Sequence, residues 1–109
     1  MAYDEALAAR VREALAGRAG VTERRMFGGL SFLLGGHMCC GVVHEDLVVR
    51  LGPDETQAAL AEPHARPMDF TGRPLEGFVY VDPAGLVDDA ALRGWVERAA
   101  GFAASLPPK

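Results

Sequence analysis

The stretch that decides the fold is RRMFGGLSFLLGGHMCCGVV, residues 24–43. Apolar residues recur at every second position on both sides of a glycine pair: Leu30, Phe32 and Leu34 before it, and Met38, Cys40 and Val42 after it. A period of two is typical of a β-strand, and adjacent glycines supply the positive φ angles of a two-residue hairpin turn. The stretch therefore predicts a β-hairpin closed at Gly35-Gly36. This turn places Phe32 opposite Cys39 and Leu33 opposite Met38.

Patterns on either side of the hairpin predict the other elements. They are a helix from about Tyr3 to Gly17, a third strand at Leu47–Leu51, a helix from Pro53 to about Glu62, strands at Met68–Thr71 and Phe78–Val81, and a helix from Asp88 or Asp89 to Pro107. The order α-βββ-α-ββ-α predicts an α+β domain, with an antiparallel sheet of about five strands and helices mainly on one face. We expect Trp95 and Phe102, on the apolar face of the last helix, to be buried.

Length, composition and charge narrow the class of protein. The 109 residues suit one domain spanning 1–109, and the apolar content of 50% is that of a globular chain. The formal net charge of -4 argues against a dedicated nucleic-acid binder, which normally carries a basic face. The charged N-terminus lacks the apolar segment of a secretory signal, and no apolar run is long enough to span a bilayer. We therefore expect a cytoplasmic protein with no membrane contact.

The two glycine pairs do not have the context of a phosphate-binding loop. A Walker loop ends in Gly-Lys-Ser/Thr and opens a helix. Neither Gly28-Gly29 nor Gly35-Gly36 is followed by those residues. We interpret Gly28-Gly29 as either a bulge or a place where another backbone comes close.

Cys39 and Cys40 are the candidates for thiol or metal chemistry. Zinc sites use four ligands at separated spacings, and neighbouring residues of a strand point to opposite faces. We therefore expect neither cysteine to bind zinc and no disulfide to join them. His37 shares a face with Cys39, and Asp69 is available to orient the imidazole, which leaves a small thiol-dependent enzyme or redox protein as an alternative. Because nothing in the sequence fixes that geometry, we predict no catalytic, cofactor-binding or metal-binding residues.

A second alternative is weak nucleic-acid binding through an open sheet face. Phe32, Phe78 and Tyr80 are able to stack bases if that face is exposed, but we interpret them as core residues. The basic residues needed to hold a nucleic-acid backbone are sparse. The four arginines that we predict as an interaction surface are Arg24, Arg25, Arg50 and Arg73.

Motifs along most of the chain resemble the N-terminal domain of the TfoX/Sxy family. The matching motifs are Arg25-Met26-Phe27-Gly28-Gly29, the turn Gly35-Gly36, the strand ending in Arg50, residues 68–74, residues 77–81 and the Trp95-Val96 helix. The namesakes of the family regulate natural competence together with a transcription factor, and they add a second, helical domain. The resemblance implies a single-domain branch of the family. It implies a non-enzymatic interaction module, regulatory in transcription or in a competence-like pathway, without a cofactor.

Two predicted strands without charged residues indicate that the chain has a protein partner. Neither Leu30–Leu34 nor Phe78–Val81 contains a charge, and an uncharged strand at the edge of a sheet invites pairing with another chain. If either strand forms an edge, another subunit or a loop has to cover it. We therefore expect an unidentified protein partner or a homodimer.

Overall fold

The computed structural model describes residues 3–26, 28–68 and 77–107. The elements are α1 Glu5–Ala14, β1 Val21–Met26, β2 Gly29–Leu34, β3 His37–Val43, β4 Asp46–Arg50, α2 Pro53–Leu60, β5 Ala65–Pro67, β6 Phe78–Val81 and α3 Asp89–Ser105, with a 3-10 turn at Pro83–Gly85. Within these residues, no helix has the length and apolarity required to cross a membrane.

The described strands form one antiparallel sheet in the spatial order β1-β2-β3-β4-β6-β5. The chain runs through β1 to β4 as a meander. It then passes through α2 to β5 at the far edge and returns as β6 between β4 and β5. The predicted α+β class and the antiparallel sheet are confirmed. The predicted count of about five strands is corrected to six, because a strand precedes the hairpin.

The strand that the sequence did not reveal is β1, with the residues VTERRM. Its four central residues are all exposed, so they show no alternation between buried and exposed positions. β1 exists because it pairs with β2 in a regular register from Val21 opposite Leu34 to Met26 opposite Gly29. Arg24 and Arg25 therefore lie within a strand, whereas the sequence had placed them before the first one.

β5, at Ala65–Pro67, lies in a segment that the sequence predicted to be a loop. Of the predicted strand at Met68–Thr71, Met68 lies just after β5 and outside any strand, and residues 69–71 lie outside the described residues. Pro67 is compatible with β5 because proline is tolerated in a strand at an edge of the sheet.

The central hairpin is closed as predicted, but its register contains a bulge. Gly35 and Gly36 have φ angles of 61° and 86°, which confirms the positive φ expected of both. Leu33 faces Met38 as predicted. Phe32, however, faces Cys40, because the register shifts between Phe32 and Leu33. The predicted pairing of Phe32 with Cys39 is wrong, since Cys39 is the extra residue of a β-bulge in β3.

At Gly28-Gly29 another part of the backbone comes close, which was one of the two interpretations of this pair. A Cβ on Gly29 would overlap the backbone carbonyl of Val42 on β3. Gly28 lies in the loop between β1 and β2 with a φ of 73°. The register of β1 with β2 is unbroken, so no bulge occurs between these two strands.

The helices cover one face of the sheet and form the main core. Val11 of α1, Ala59 of α2 and Val96 of α3 are fully buried in one cluster with the sheet. The opposite face carries a second buried cluster that includes Val48, Met68 and Tyr80. Every position of β2 is consequently buried. Both faces of the central strands are therefore core in the monomer.

The prediction for the last helix holds in part. Asp88 caps α3 and accepts a hydrogen bond from the backbone N–H of Ala90 at 3.1 Å, as expected. Trp95 is 7% exposed and belongs to the core. Phe102 is only half-buried, so the expectation that both rings are buried is wrong for Phe102.

Replacing Trp95 tests whether α3 anchors the main core. We expect Trp95→Ala to lower the free energy of unfolding by about 3–5 kcal/mol, because a buried aromatic side chain leaves a cavity. Val87, which is 80% exposed, supplies the control, and Val87→Ala should change that free energy by less than about 0.5 kcal/mol. Urea unfolding measures both. Equal effects would contradict the packing of α3 on the sheet.

The contact at Gly29 is tested by a single methyl group. Gly29→Ala should destabilise the protein by about 3 kcal/mol, because the opposing atoms belong to the rigid backbone of Val42. Gly94 lies on α3 with no atom near its Cβ position, so Gly94→Ala should stabilise by about 0.5–1 kcal/mol. Thermal unfolding of the two variants should therefore move in opposite directions.

Candidate interaction surface

β1 presents two arginines at an edge of the sheet. Arg24 stands opposite Ser31 and Arg25 opposite Leu30. Leu30 belongs to the helix-covered core, so Arg25 projects on the helix side and Arg24 on the other side. Both arginines are exposed. The edge therefore offers one guanidinium on each face of the sheet.

Neither arginine is engaged within the part of the chain that the structure describes. The ion pairs there do not include Arg24 or Arg25. Their neighbour Glu23 is bound to Arg12 of α1, with N···O distances of 2.5 and 2.8 Å. The hydrogen bond from Arg12 lowers the pKa of Glu23. Because Arg12 and Glu23 cancel, the edge keeps two positive charges on a chain of net charge -4.

The opposite edge of the sheet is a short strand whose arginine is engaged. β5 has three residues, and Pro67 lacks a backbone N–H. Arg66 donates hydrogen bonds of 2.6 Å to Asp82 and of 2.6 Å to Asp46, and it stacks 4.7 Å from the centre of the Tyr80 ring. Burial lowers the pKa of Arg66, but the two carboxylates outweigh burial and raise it overall.

Of the other two predicted surface arginines, Arg50 does not join Arg24 and Arg25. Arg50 ends β4, three strands from β1, which corresponds to about 14 Å across a sheet. Its guanidinium lies 5.8 Å from the ring centre of Phe78 and 5.3 Å from that of Phe102. Arg50 thus fastens α3 to the end of the sheet. Arg73 lies outside the described residues. Among the described residues, the predicted surface therefore keeps Arg24 and Arg25 together and separates Arg50 from them.

The two cysteines lie on the same face of the sheet, contrary to the alternation that the sequence suggested. The bulge at Cys39 breaks the period of two, and both side chains join the helix-covered core at 0% exposure. A hydrogen bond between the thiols lowers the pKa of Cys39 and raises that of Cys40, and burial raises the pKa of Cys40 further. Cys39 is therefore the first of the pair to ionise.

The structure does not assemble a thiol–imidazole pair. The Nε2 atom of His37 lies 2.5 Å from the carbonyl oxygen of Pro107, just beyond α3. Asp69, the residue considered for orienting His37, lies outside the described residues. Cys39 and Cys40 remain as free thiols buried in apolar surroundings, a setting in which cysteine is inert. No group of three metal-ligating side chains occurs in the described ranges.

Two clefts outside the β1 edge are lined in part by charged groups that are already engaged. A cleft of about 510 Å³ includes Asp4 and Asp46. Asp4 caps α1, and Asp46 binds Arg66. A cleft of about 350 Å³ between α2 and α3 includes Arg98, which binds Glu62 at 2.8 Å and stacks on Trp95. These contacts stabilise the fold, whereas Arg24 and Arg25 are among the arginines that have no ion pair in the described structure.

Comparison with known proteins identifies one family. A family model described as the TfoX N-terminal domain matches residues 13–103. This range includes every strand of the described sheet. A comparison with curated proteins found no match, and a comparison with solved structures found none either.

The burial of the cysteine pair is tested by alkylation. In the native protein, iodoacetamide should modify Cys39 and Cys40 about a hundred times more slowly than in urea, because reaction requires an opening that costs several kcal/mol. Arg93→Cys, at an exposed position on α3, provides a thiol that should react at the unprotected rate. Fast labelling of Cys39 or Cys40 in the native fold would revive the thiol-enzyme alternative.

Proposed function

We propose that this chain, which belongs to the TfoX N-terminal domain family, is a non-enzymatic module of the cytoplasm that regulates by binding a protein partner at the β1 edge. The family is competence-regulator-like, and this supports a regulatory role in transcription or in a competence-like pathway.

The difference between the two sheet edges is the observation that carries the proposal. Proteins protect edge strands by making them short, by adding proline, by placing charged side chains on them or by covering them. β5 has the first two protections and an engaged arginine. β1 is six residues long and contains no proline, so its protection is the charge of its exposed side chains. Charge is a protection that a segment of opposite charge neutralises, so β1 is suited to contact with such a segment.

The charge of the edge supports a protein partner of opposite sign. Two unpaired guanidinium groups on a chain of net charge -4 form a local positive region. Such a region steers an acidic partner toward β1, while the remaining acidic surface repels it elsewhere. Arginine also forms bidentate hydrogen bonds with carboxylates, which gives the contact a defined orientation.

No observation favours either alternative, the thiol-dependent enzyme or the weak nucleic-acid-binding domain. The buried cysteine pair lacks the partial exposure that a reactive thiol needs. Phe32 and Tyr80 are buried, so they do not form a stacking platform for bases.

The homodimer remains a prediction without its original support. The uncharged strands Leu30–Leu34 and Phe78–Val81, which would invite pairing if either formed an edge, are inner strands of the described sheet. β2 lies between β1 and β3, and β6 lies between β4 and β5.

Charge reversal at the edge tests the proposal. Proteins captured from native cytosol by the immobilised chain should be lost with Arg24→Glu but retained with Arg93→Glu. Arg93 is an equally exposed arginine on α3 without an ion pair in the described structure, so the two variants change the net charge equally. Light scattering on the same samples measures the solution mass. Capture that survives Arg24→Glu and Arg25→Glu would remove the β1 edge as the contact.

A further inference from the structure

We infer that β1 receives an extended acidic segment of the partner as a seventh strand of the sheet, with two adjacent carboxylates facing Arg24 and Arg25. The inference rests on the proposed function and specifies the chemistry of its partner.

The backbone of β1 supplies the first part of the evidence. β1 bonds to β2 on one side in an unbroken register of six residue pairs. In the described residues, no strand or loop pairs with the other side. This side has a row of N–H and C=O groups that an added strand is able to satisfy. The absence of a bulge within β1 keeps the row regular, so that several hydrogen bonds form together.

The side chains of β1 define which residues the added strand needs. Consecutive residues of a strand point to opposite faces, so the added residues opposite Arg24 and Arg25 are themselves consecutive. Each of them meets a guanidinium on its own face. Glu23, the next residue, already accepts from Arg12, and a third acid opposite it would be repelled. The preferred segment has two adjacent acids followed by a residue that is not acidic.

A second copy of the chain fits this edge less well than an acidic segment. When two antiparallel strands are related by a two-fold axis, one residue lies opposite its own copy. In a register centred on Glu23, the two Glu23 carboxylates face each other. A register centred on Arg24 pairs Glu23 with Arg25 of the copy but sets the two Arg24 guanidinium groups opposite each other, and a register centred on Arg25 opposes the two Arg25 groups. Like charges at directly opposed positions are destabilising. No two-fold register of β1 places a carboxylate opposite both arginines, so an acidic segment complements this edge more fully than a second copy does.

The probe is a blocked peptide of six residues, the length of β1, with two adjacent glutamates among valine and threonine residues. Titration of the full chain, followed by NMR, should shift the amide signals of Val21–Met26. Replacing both glutamates by lysines should weaken binding at least about fivefold, since two exposed ion pairs are lost. Arg24→Gln should weaken binding, whereas Arg93→Gln should not.

A second peptide separates strand addition from simple charge attraction. It keeps both glutamates but carries N-methyl groups on alternate residues, which removes the N–H donors of one edge. Two such peptides cover the two possible edges, and one of them should lose binding. Equal binding of both would show a contact through charge alone and would overturn the inference, as would the absence of binding by the parent peptide.

The remaining outcomes distinguish a failure of this inference from a failure of the proposed function. Concentration-dependent protection of the β1 amides without peptide would identify a second copy as the occupant and overturn the inference. If partner capture depends on Arg24 while no peptide binds, the proposed function stands and the acidic strand is wrong. If the peptides bind as expected and capture is independent of Arg24, the acidic-strand site stands and the proposed function is wrong.

Discussion

The antiparallel pairing of β2 with β3 is the constraint on which the other elements depend. The turn at Gly35-Gly36 joins the two strands, and both faces of them are buried. β1 and β4 extend the sheet from either side of this pair. α3 lies across it with Trp95 and Val96 in the core. Because a shift of one residue would move every side chain to the other face, the register of this hairpin determines which residues the helices cover.

The bulge at Cys39 shows how a local irregularity changes a chemical expectation. A regular strand would separate the two thiols across the sheet, whereas the bulge places both beneath the helices. The result is a hydrogen-bonded pair with divergent pKa values that is sealed from solvent. In this position the cysteines act as small apolar residues of the core.

The two edges of the sheet divide the arginines into structural and unpaired groups. Arg66 and Arg50 are held by aromatic rings, and Arg66 also by two carboxylates. Arg66 joins β5 to β4 and β6, and Arg50 joins the end of the sheet to α3. Arg24 and Arg25 have no such partners in the described structure. Their charges therefore stabilise no ion pair of the described fold.

The sequence alone determined the class of fold, the hairpin turn and the starts of α2 and α3, because these depend on local patterns. The glycine pair, the capping residue Asp88 and the apolar spacing around Trp95 each act within a few residues. Motifs spread along the chain also indicated the family. The candidate surface was predicted only as a set of arginines, since their grouping depends on distant elements.

Only the tertiary structure decided the edges of the sheet, the bulge and the grouping of the arginines. β1 is charged and has no alternation, so it becomes a strand only by pairing with β2. Cys39 bulges where the register of β3 on β2 shifts, and the spacing of the sequence does not record that shift. Strand order placed Arg50 three strands away from Arg24 and Arg25. Pairing between strands is a property of two segments together, and for this reason neither segment reveals it by its own pattern.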